Sequence, residues 1–312
     1  MEKLTVSPSP HIRSNISTSK VMLHVIIALC PALIASAVIF GGRALMLTGF
    51  CIITAVIWER LCNLIMKKPD TTGDLSAVVT GMLLAFNLPV TFPYWMAAIG
   101  TFISIVIVKQ LFGGLGQNFA NPAIVGRIVL MLAFTPEMTH WVVPSYNGHD
   151  TLTGATPLVT GTADYRNLFL GNVGGCLGEV SALALIIGGL YLIVVKVIKL
   201  HTPIAFIGTV FIFSYLTDRD GLYQILAGGV MIGAFFMATD YVTTPSTNIG
   251  KIIFGVGCGL ITCIIRFWGS YAEGVSFSIL LMNILTPYID MFVRKKPVGA
   301  VYPEKTKEAE AK

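Results

Sequence analysis

Apolar stretches of about 20 residues recur along this chain, and a stretch of that length suits a hydrocarbon core roughly 30 Å thick. A chain that enters lipid must satisfy its backbone N–H and C=O groups internally, so the stretches have to be helices. Only 12% of the 312 residues are charged and 54% are hydrophobic, against about 25% charged in a soluble domain. The pattern predicts an all-α polytopic integral membrane protein. We read about ten transmembrane helices, over approximately 21–40, 44–66, 75–90, 94–112 and 122–136, then 176–198, 203–217, 222–239, 250–268 and 275–293. Two of these, 75–90 and 122–136, are too short to cross alone as regular helices. The segment Met1 to Lys20 is polar and the first apolar run continues as a full span, so no cleavable signal peptide is expected.

Basic residues orient such a chain, because Lys and Arg are retained on the cytoplasmic side. With the N-terminus inside, fifteen of the 21 Lys and Arg residues fall on that side. Arg43, Arg166 and Arg219 fall outside, and Arg60, Arg127 and Arg266 lie within spans. Both termini are then cytoplasmic. The expected organisation is a cytoplasmic N-terminal segment (1–20), a first membrane repeat (21–136), an outward-facing loop (137–175), a second membrane repeat (176–293) and a cytoplasmic tail (294–312). The net charge of +5 sits at membrane boundaries rather than on one face, so no nucleic-acid partner is indicated. The six cysteines show no C-x-x-C or His-paired spacing and read as small core hydrophobes, with no metal site.

The halves echo each other. Gly81-Met-Leu-Leu-Ala-Phe-Asn-Leu-Pro89 precedes an apolar span and then Gly113-Gly-Leu-Gly-Gln-Asn118. Gly233-Ala-Phe-Phe-Met-Ala-Thr-Asp240 precedes a similar span and then Gly269-Ser-Tyr-Ala-Glu273. Five spans per half give two inverted repeats with interrupted helices, an arrangement that places binding sites near the midplane. Charged and carboxamide groups inside a membrane are costly and therefore functional candidates. Asn87, Asn118, Asn121 and Asp240 sit beside Gly or Pro where helices break. They fit either an ion pathway or the capping of half-helices. Glu59, Arg60, Arg127 and Arg266 are expected near the interface, where long side chains snorkel, and Glu273 on a solvated external turn. His24 reads as a satisfied core histidine. An inverted-repeat channel or secondary transporter without a redox role explains the spans equally well.

The loop does not fit that alternative. Residues 150 to 158 read Asp150-Thr-Leu-Thr153-Gly154-Ala155-Thr156-Pro157-Leu158. As composition this is an ordinary Ser/Thr/Gly turn. As chemistry it offers a hydroxyl on Thr156, two small neighbours that permit close approach, and Pro157 stiffening the chain after it.

This string resembles the flavinylation motif of the RnfD and NqrB family, membrane subunits of bacterial ion-pumping redox complexes. The resemblance extends over nearly the whole chain. Ser9-Pro10-His11 resembles the family's N-terminal signature. Thr72-Gly-Asp-Leu-Ser-Ala-Val-Val-Thr-Gly81 with Asn87-Leu-Pro89 resembles its third span, and Gly113-Gly-Leu-Gly-Gln-Asn-Phe-Ala-Asn-Pro-Ala123 its glycine-rich re-entrant stretch. Met237-Ala-Thr-Asp240 followed by Thr244-Pro245 resembles the matching element of the second repeat. The chain length favours the RnfD branch.

The resemblance implies FMN bound covalently to Thr156 through a phosphoester, within a motif of Asp150, Thr153, Gly154, Ala155, Pro157 and Leu158, installed by a separate flavin transferase. It implies a membrane component of an Rnf-type complex in the bacterial cell (inner) membrane. Such a complex carries electrons between ferredoxin and NAD while translocating Na⁺ or H⁺, with membrane and peripheral partners of the A, B, C, E and G types. Some members hold a second, non-covalent flavin such as riboflavin. No phosphate-binding loop, dinucleotide fingerprint or catalytic triad is present, so the ferredoxin and NAD chemistry belongs to partners and no catalytic residue is assigned here. Trp141, Tyr146 and Tyr165 either pack on an isoalloxazine ring or serve as interfacial anchors.

Overall fold

Gly41, at φ +74°, separates the first two helices, α1 (Thr18–Phe40) and α2 (Gly42–Ile65), with a backbone conformation that glycine adopts without strain. The computed structural model describes residues 17–143, 152–154, 156–161, 163–179, 181–269, 271 and 273–293. The Ser17 hydroxyl caps α1 by accepting from the Lys20 N–H. After α2 comes a short 3₁₀ turn at Thr72–Asp74. Then follow α3 (Ser76–Phe86), α4 (Tyr94–Phe102) and α5 (Pro122–Ala133). The last turns of α4 widen into a π-helix over Ile103–Gln110.

Past α5 lie a one-turn helix α6 (Thr135–Met138) and a minimal antiparallel ladder, β1 (Val142–Val143) with β2 (Leu152–Thr153), in the register Val142 to Thr153. Two short helices follow, α7 (Pro157–Thr160) and α8 (Tyr165–Leu170). The second half begins with α9 (Ala182–Val194) and α10 (His201–Leu216). It continues through a broken element, α11 (Gly221–Leu226) then α12 (Val230–Ile232), which widens into a π-helix over Gly233–Met237. It ends with α13 (Asn248–Trp268) and α14 (Val275–Phe292).

Each of the ten expected segments contains helix, though not always over its full length. Four helices, α1, α2, α13 and α14, are long and apolar enough to cross a membrane by themselves, and the chain is a membrane protein. The 75–90 and 122–136 segments are indeed short, α3 having 11 residues and α5 having 12. The 222–239 segment is not one helix, because Gly228 takes φ +69° between α11 and α12.

Helix α2 lies against α3 and α4, while α10 lies against α11 and α13. The two halves meet where α1 packs on α9 and α5 on α14. Close approach is made possible by glycine at the contacts: a Cβ on Gly81 would stand 2.7 Å from the Cys51 carbonyl oxygen, and one on Gly255 would stand 2.8 Å from that of Thr202. The large apolar core draws on both halves, with Leu29, Phe86, Ile124, Phe206, Phe254 and Ile279 all fully buried.

Candidate functional site

The helix breaks expose backbone carbonyls that must be satisfied. At the end of α3 the 171–181 connection does this: Gly178 N–H donates to Phe86 O (2.8 Å) and Leu177 N–H to Leu88 O (3.0 Å). The Cys176 thiol donates to Asn87 O at 3.2 Å. This docking carries Glu179 into the bundle.

There it meets Arg127, which projects from α5. Arg127 Nη1 donates to Asn87 Oδ1 (2.7 Å) and Ser276 Oγ (3.0 Å). Its Nη2 lies 3.1 Å from Glu179 Oε1 and hydrogen-bonds Glu273 Oε2. All are buried, with Arg127 at 3%, Glu179 at 4% and Glu273 at 6% relative exposure. The interfacial expectation for Arg127 and the solvated one for Glu273 are therefore corrected. Each is pulled inward by the other, because a buried arginine requires a counter-charge and bonds for its donors. Glu179 escaped sequence reasoning altogether. The available signal was an acid at the start of an apolar run, in Gly174-Gly-Cys-Leu-Gly-Glu179.

Thr156 sits at the same place. It precedes α7 with extended backbone (φ −62°, ψ 154°), and Pro157 occupies the first helical position. The Tyr223 hydroxyl donates to Pro157 O at 2.6 Å, and Leu158 packs beside Leu168, Tyr223 and Ala227. Gly154 N–H donates to Trp141 O at 3.2 Å. Thr153 pairs through its backbone with Val142. Asp150 and Ala155 of the expected motif, with Tyr146, lie outside the described residues. Tyr165 is exposed, and its hydroxyl is bonded to Asp220.

Thr156 is 3% exposed and lines a cavity of about 10 Å³ together with Gly174, Gly175, Glu179 and Glu273. That is space for about one water molecule. A phosphoryl group does not fit there, for want of room and because two carboxylates face the space. The described arrangement is one in which the Thr156 hydroxyl is turned away from the surface.

The polar residues of the helix breaks separate into two groups. Asn118, Asn121 and Asp240 line one cavity of about 90 Å³ with Ser76, Lys109, Phe235 and Phe236. Asn121 also caps α5, accepting from Ala123 N–H at 3.1 Å, and donates across the halves to Met237 O at 3.3 Å. Asn87 does not belong to this cavity; its side chain serves Arg127 and Leu83 O.

A second buried network borders the larger cavity. Glu59, expected near the interface, is fully buried. Its Oε1 accepts from Lys109 Nζ (2.6 Å), Gln110 Nε2 (3.0 Å) and Thr71 Oγ1 (3.1 Å). The π-helical turn ending at Gln110 places Lys109 and Gln110 side by side on this carboxylate. Arg60, by contrast, is exposed. His24 is satisfied by the Tyr191 hydroxyl at 2.8 Å.

A family model described as the NQR2, RnfD, RnfE family matches residues 5–299. The chain is 48% identical over 315 residues, covering 98% of each, to the D subunit of a Na(+)-translocating ferredoxin:NAD(+) oxidoreductase complex from Acetobacterium woodii. It is 43% identical over 317 residues, 95% of this chain and 96% of the relative, to the D subunit of a proton-translocating ferredoxin:NAD(+) oxidoreductase complex from Clostridium ljungdahlii. The D subunit of an ion-translocating oxidoreductase complex from Stutzerimonas stutzeri is 35% identical over 327 residues, 91% and 92% of the two chains.

Proposed function

This chain belongs to the NQR2, RnfD, RnfE family, and from that premise we propose that it is the D subunit of an ion-translocating ferredoxin:NAD oxidoreductase complex. The observation that carries the reading is full-length similarity to the D subunits of two such complexes, at 48% and 43% identity. The chain is a membrane component of a larger assembly, and its partners supply the ferredoxin and NAD chemistry.

The redox element of the reading is FMN on Thr156. An enzyme-bound flavin supplies one- or two-electron chemistry, and the protein supplies position and electrostatics. Attachment requires the segment around Thr156 to leave the position described above, since the adjoining cavity holds about 10 Å³. A separate transferase acting on an opened 152–161 segment meets that requirement.

The larger cavity, with Asn118, Asn121 and Asp240 on its wall, is the place we assign to the ion pathway. At about 90 Å³ it is too small for a second, non-covalent flavin, to which no described residues are assigned. The equivalent packing of α2 with α3 and α4, and of α10 with α11 and α13, supports two repeats of five helices each, ten spans in all. The orientation follows from the basic residues: both termini cytoplasmic, and the Thr156 segment on the opposite side of the inner membrane.

In-gel flavin fluorescence of the denatured chain, co-expressed with a flavin transferase, tests the assignment. Fluorescence in the parent that is absent from Thr156→Ala is expected. A dark parent band beside an active control substrate would leave the transporter reading as the better one.

A further inference from the structure

The carboxyl groups of Glu179 and Glu273 and the Cys176 thiol approach to within 4.8 Å of one another. One arginine nitrogen serves both acids, and it serves them unequally. Arg127 Nη2 hydrogen-bonds Glu273, whereas Glu179 has a looser ion pair, its Oε1 3.1 Å from that nitrogen, with the Cys176 thiol and the Glu273 carboxyl as its other polar neighbours. Glu179 is 4% exposed and lines the cavity that Thr156 shares.

Two like charges this close cannot both be held in a dry site. A buried carboxylate with one loose ion pair and a weak thiol donor has lost hydration that these do not replace in full. A single proton between the two acids resolves both difficulties. It makes Glu179 a donor to Glu273 and leaves one negative charge for Arg127. Among the described residues, the other charged or titratable groups facing the pair are the Cys176 thiol and Arg266 of α13, which bears on Glu273 and Glu179 and donates to Gln224 O and Ala227 O.

We propose that Glu179 and Glu273 form a carboxyl–carboxylate pair that binds one exchangeable proton at the Thr156 end of the bundle, with Arg127 as its fixed counter-charge. This proton site lies in the Arg127 cluster, apart from the cavity lined by Asp240, and does not depend on whether Thr156 carries a flavin. Loss of the proton leaves two carboxylates sharing the one Arg127 nitrogen, with Arg266 as a second, more distant cation. Uptake of a second leaves two neutral acids. The cavity beside the pair, about 10 Å³, admits the single water through which a proton would exchange.

Infrared spectroscopy of the full chain in lipid vesicles tests this, read at the C=O stretch of protonated carboxyls. At neutral pH the parent is expected to show a band that shifts in heavy water and amounts to one proton per chain. Glu179→Gln and Glu273→Gln are each expected to abolish that same band, because the remaining acid then pairs with Arg127 as an anion. Glu179→Asp, which keeps the acid but retracts it, shifts the band and serves if a glutamine variant does not fold. Thr156→Ala retains it, so failure of the flavin reading leaves this result standing. No protonated-carboxyl band in the parent, or a band that survives in both glutamine variants, overturns the proposal. So does a band lost when sodium replaces choline at constant ionic strength, since the pair would then hold a cation.

Discussion

The two buried charge networks of this protein are built in opposite ways. Among the described residues, every partner of Glu59 comes from the first half: Lys109 and Gln110 from one π-helical turn, and Thr71 from the loop just after α2. Arg127 draws on Asn87 from its own half and on Cys176, Glu179, Glu273 and Ser276 beyond it. One network holds one acid against one base and adds neutral donors. The other bonds two acids to one arginine, with a second, Arg266, bearing on them from α13. The first is completed by folding of a half, the second only when the halves are together. A local network reports the stability of its own elements, and a shared one reports assembly and is where charge can be exchanged.

The largest effect is expected from Arg127→Met. It leaves two carboxyls facing each other with no directly bonded counter-charge, Arg266 alone bearing on them, and Asn87 Oδ1 without its donor. Breaking a buried ionic cluster from one side costs about 3–5 kcal/mol, read as a lower thermal midpoint in detergent and loss of monodisperse protein. Lys109→Met should cost less, about 2–3 kcal/mol, since Gln110 and Thr71 still donate to Glu59. Adding Glu59→Gln to that variant should restore most of the loss, because a neutral amide no longer calls for a base. Equal costs for Arg127→Met and Lys109→Met would show the distinction between local and shared networks to be without energetic content.

The same distinction explains what could be read beforehand. Helix positions follow from apolar runs and from breakers such as Gly41 and Pro122, which act locally, and the helical stretches were legible for that reason. Asn118, Asn121 and Asp240 were legible as a group because each stands beside a Gly or Pro at a break, and the breaks of the two halves meet. The fate of Glu273 was not legible. Its immediate neighbours in the chain, Ala272 and Gly274, are small, as on many turns, and it is Arg127, 146 residues away, that bonds it inside. Glu179 was hidden for the opposite reason, at the edge of an apolar run that masked it.

Gly81→Ala sharpens the comparison from the packing side. Its Cβ would stand 2.7 Å from the Cys51 carbonyl oxygen and 3.0 Å from Ile52 Cα, both backbone atoms that cannot yield. The substitution should push α2, which carries Glu59, away from α3, which carries Ser76, at about 1–3 kcal/mol. Gly257→Ala meets only the flexible end of Met282, at 2.5 Å, and should cost less. The first should also disturb Lys109, which donates to Ser76 Oγ at 2.6 Å, and so increase its accessibility to amine modification. The second should leave it untouched.

Asn121 offers the smallest and most divisible test, since one side chain makes a local and a shared bond at once. Its Oδ1 caps α5 within the first half, and its Nδ2 reaches Met237 O in the second. Serine is as good a cap as asparagine but is too short to reach Met237. Asn121→Ser should therefore lose only the tie between halves, about 0.6 kcal/mol on the scale of buried hydrogen bonds in membrane proteins. Asn121→Ala should lose the cap as well, for a further ~1 kcal/mol. Stability of the two variants in a denaturant titration separates the contributions. If serine proves as costly as alanine, the cap contributes nothing and the bond between halves carries the whole effect. Even a residue chosen for its place at a helix break would then be working for assembly, as Arg127 does.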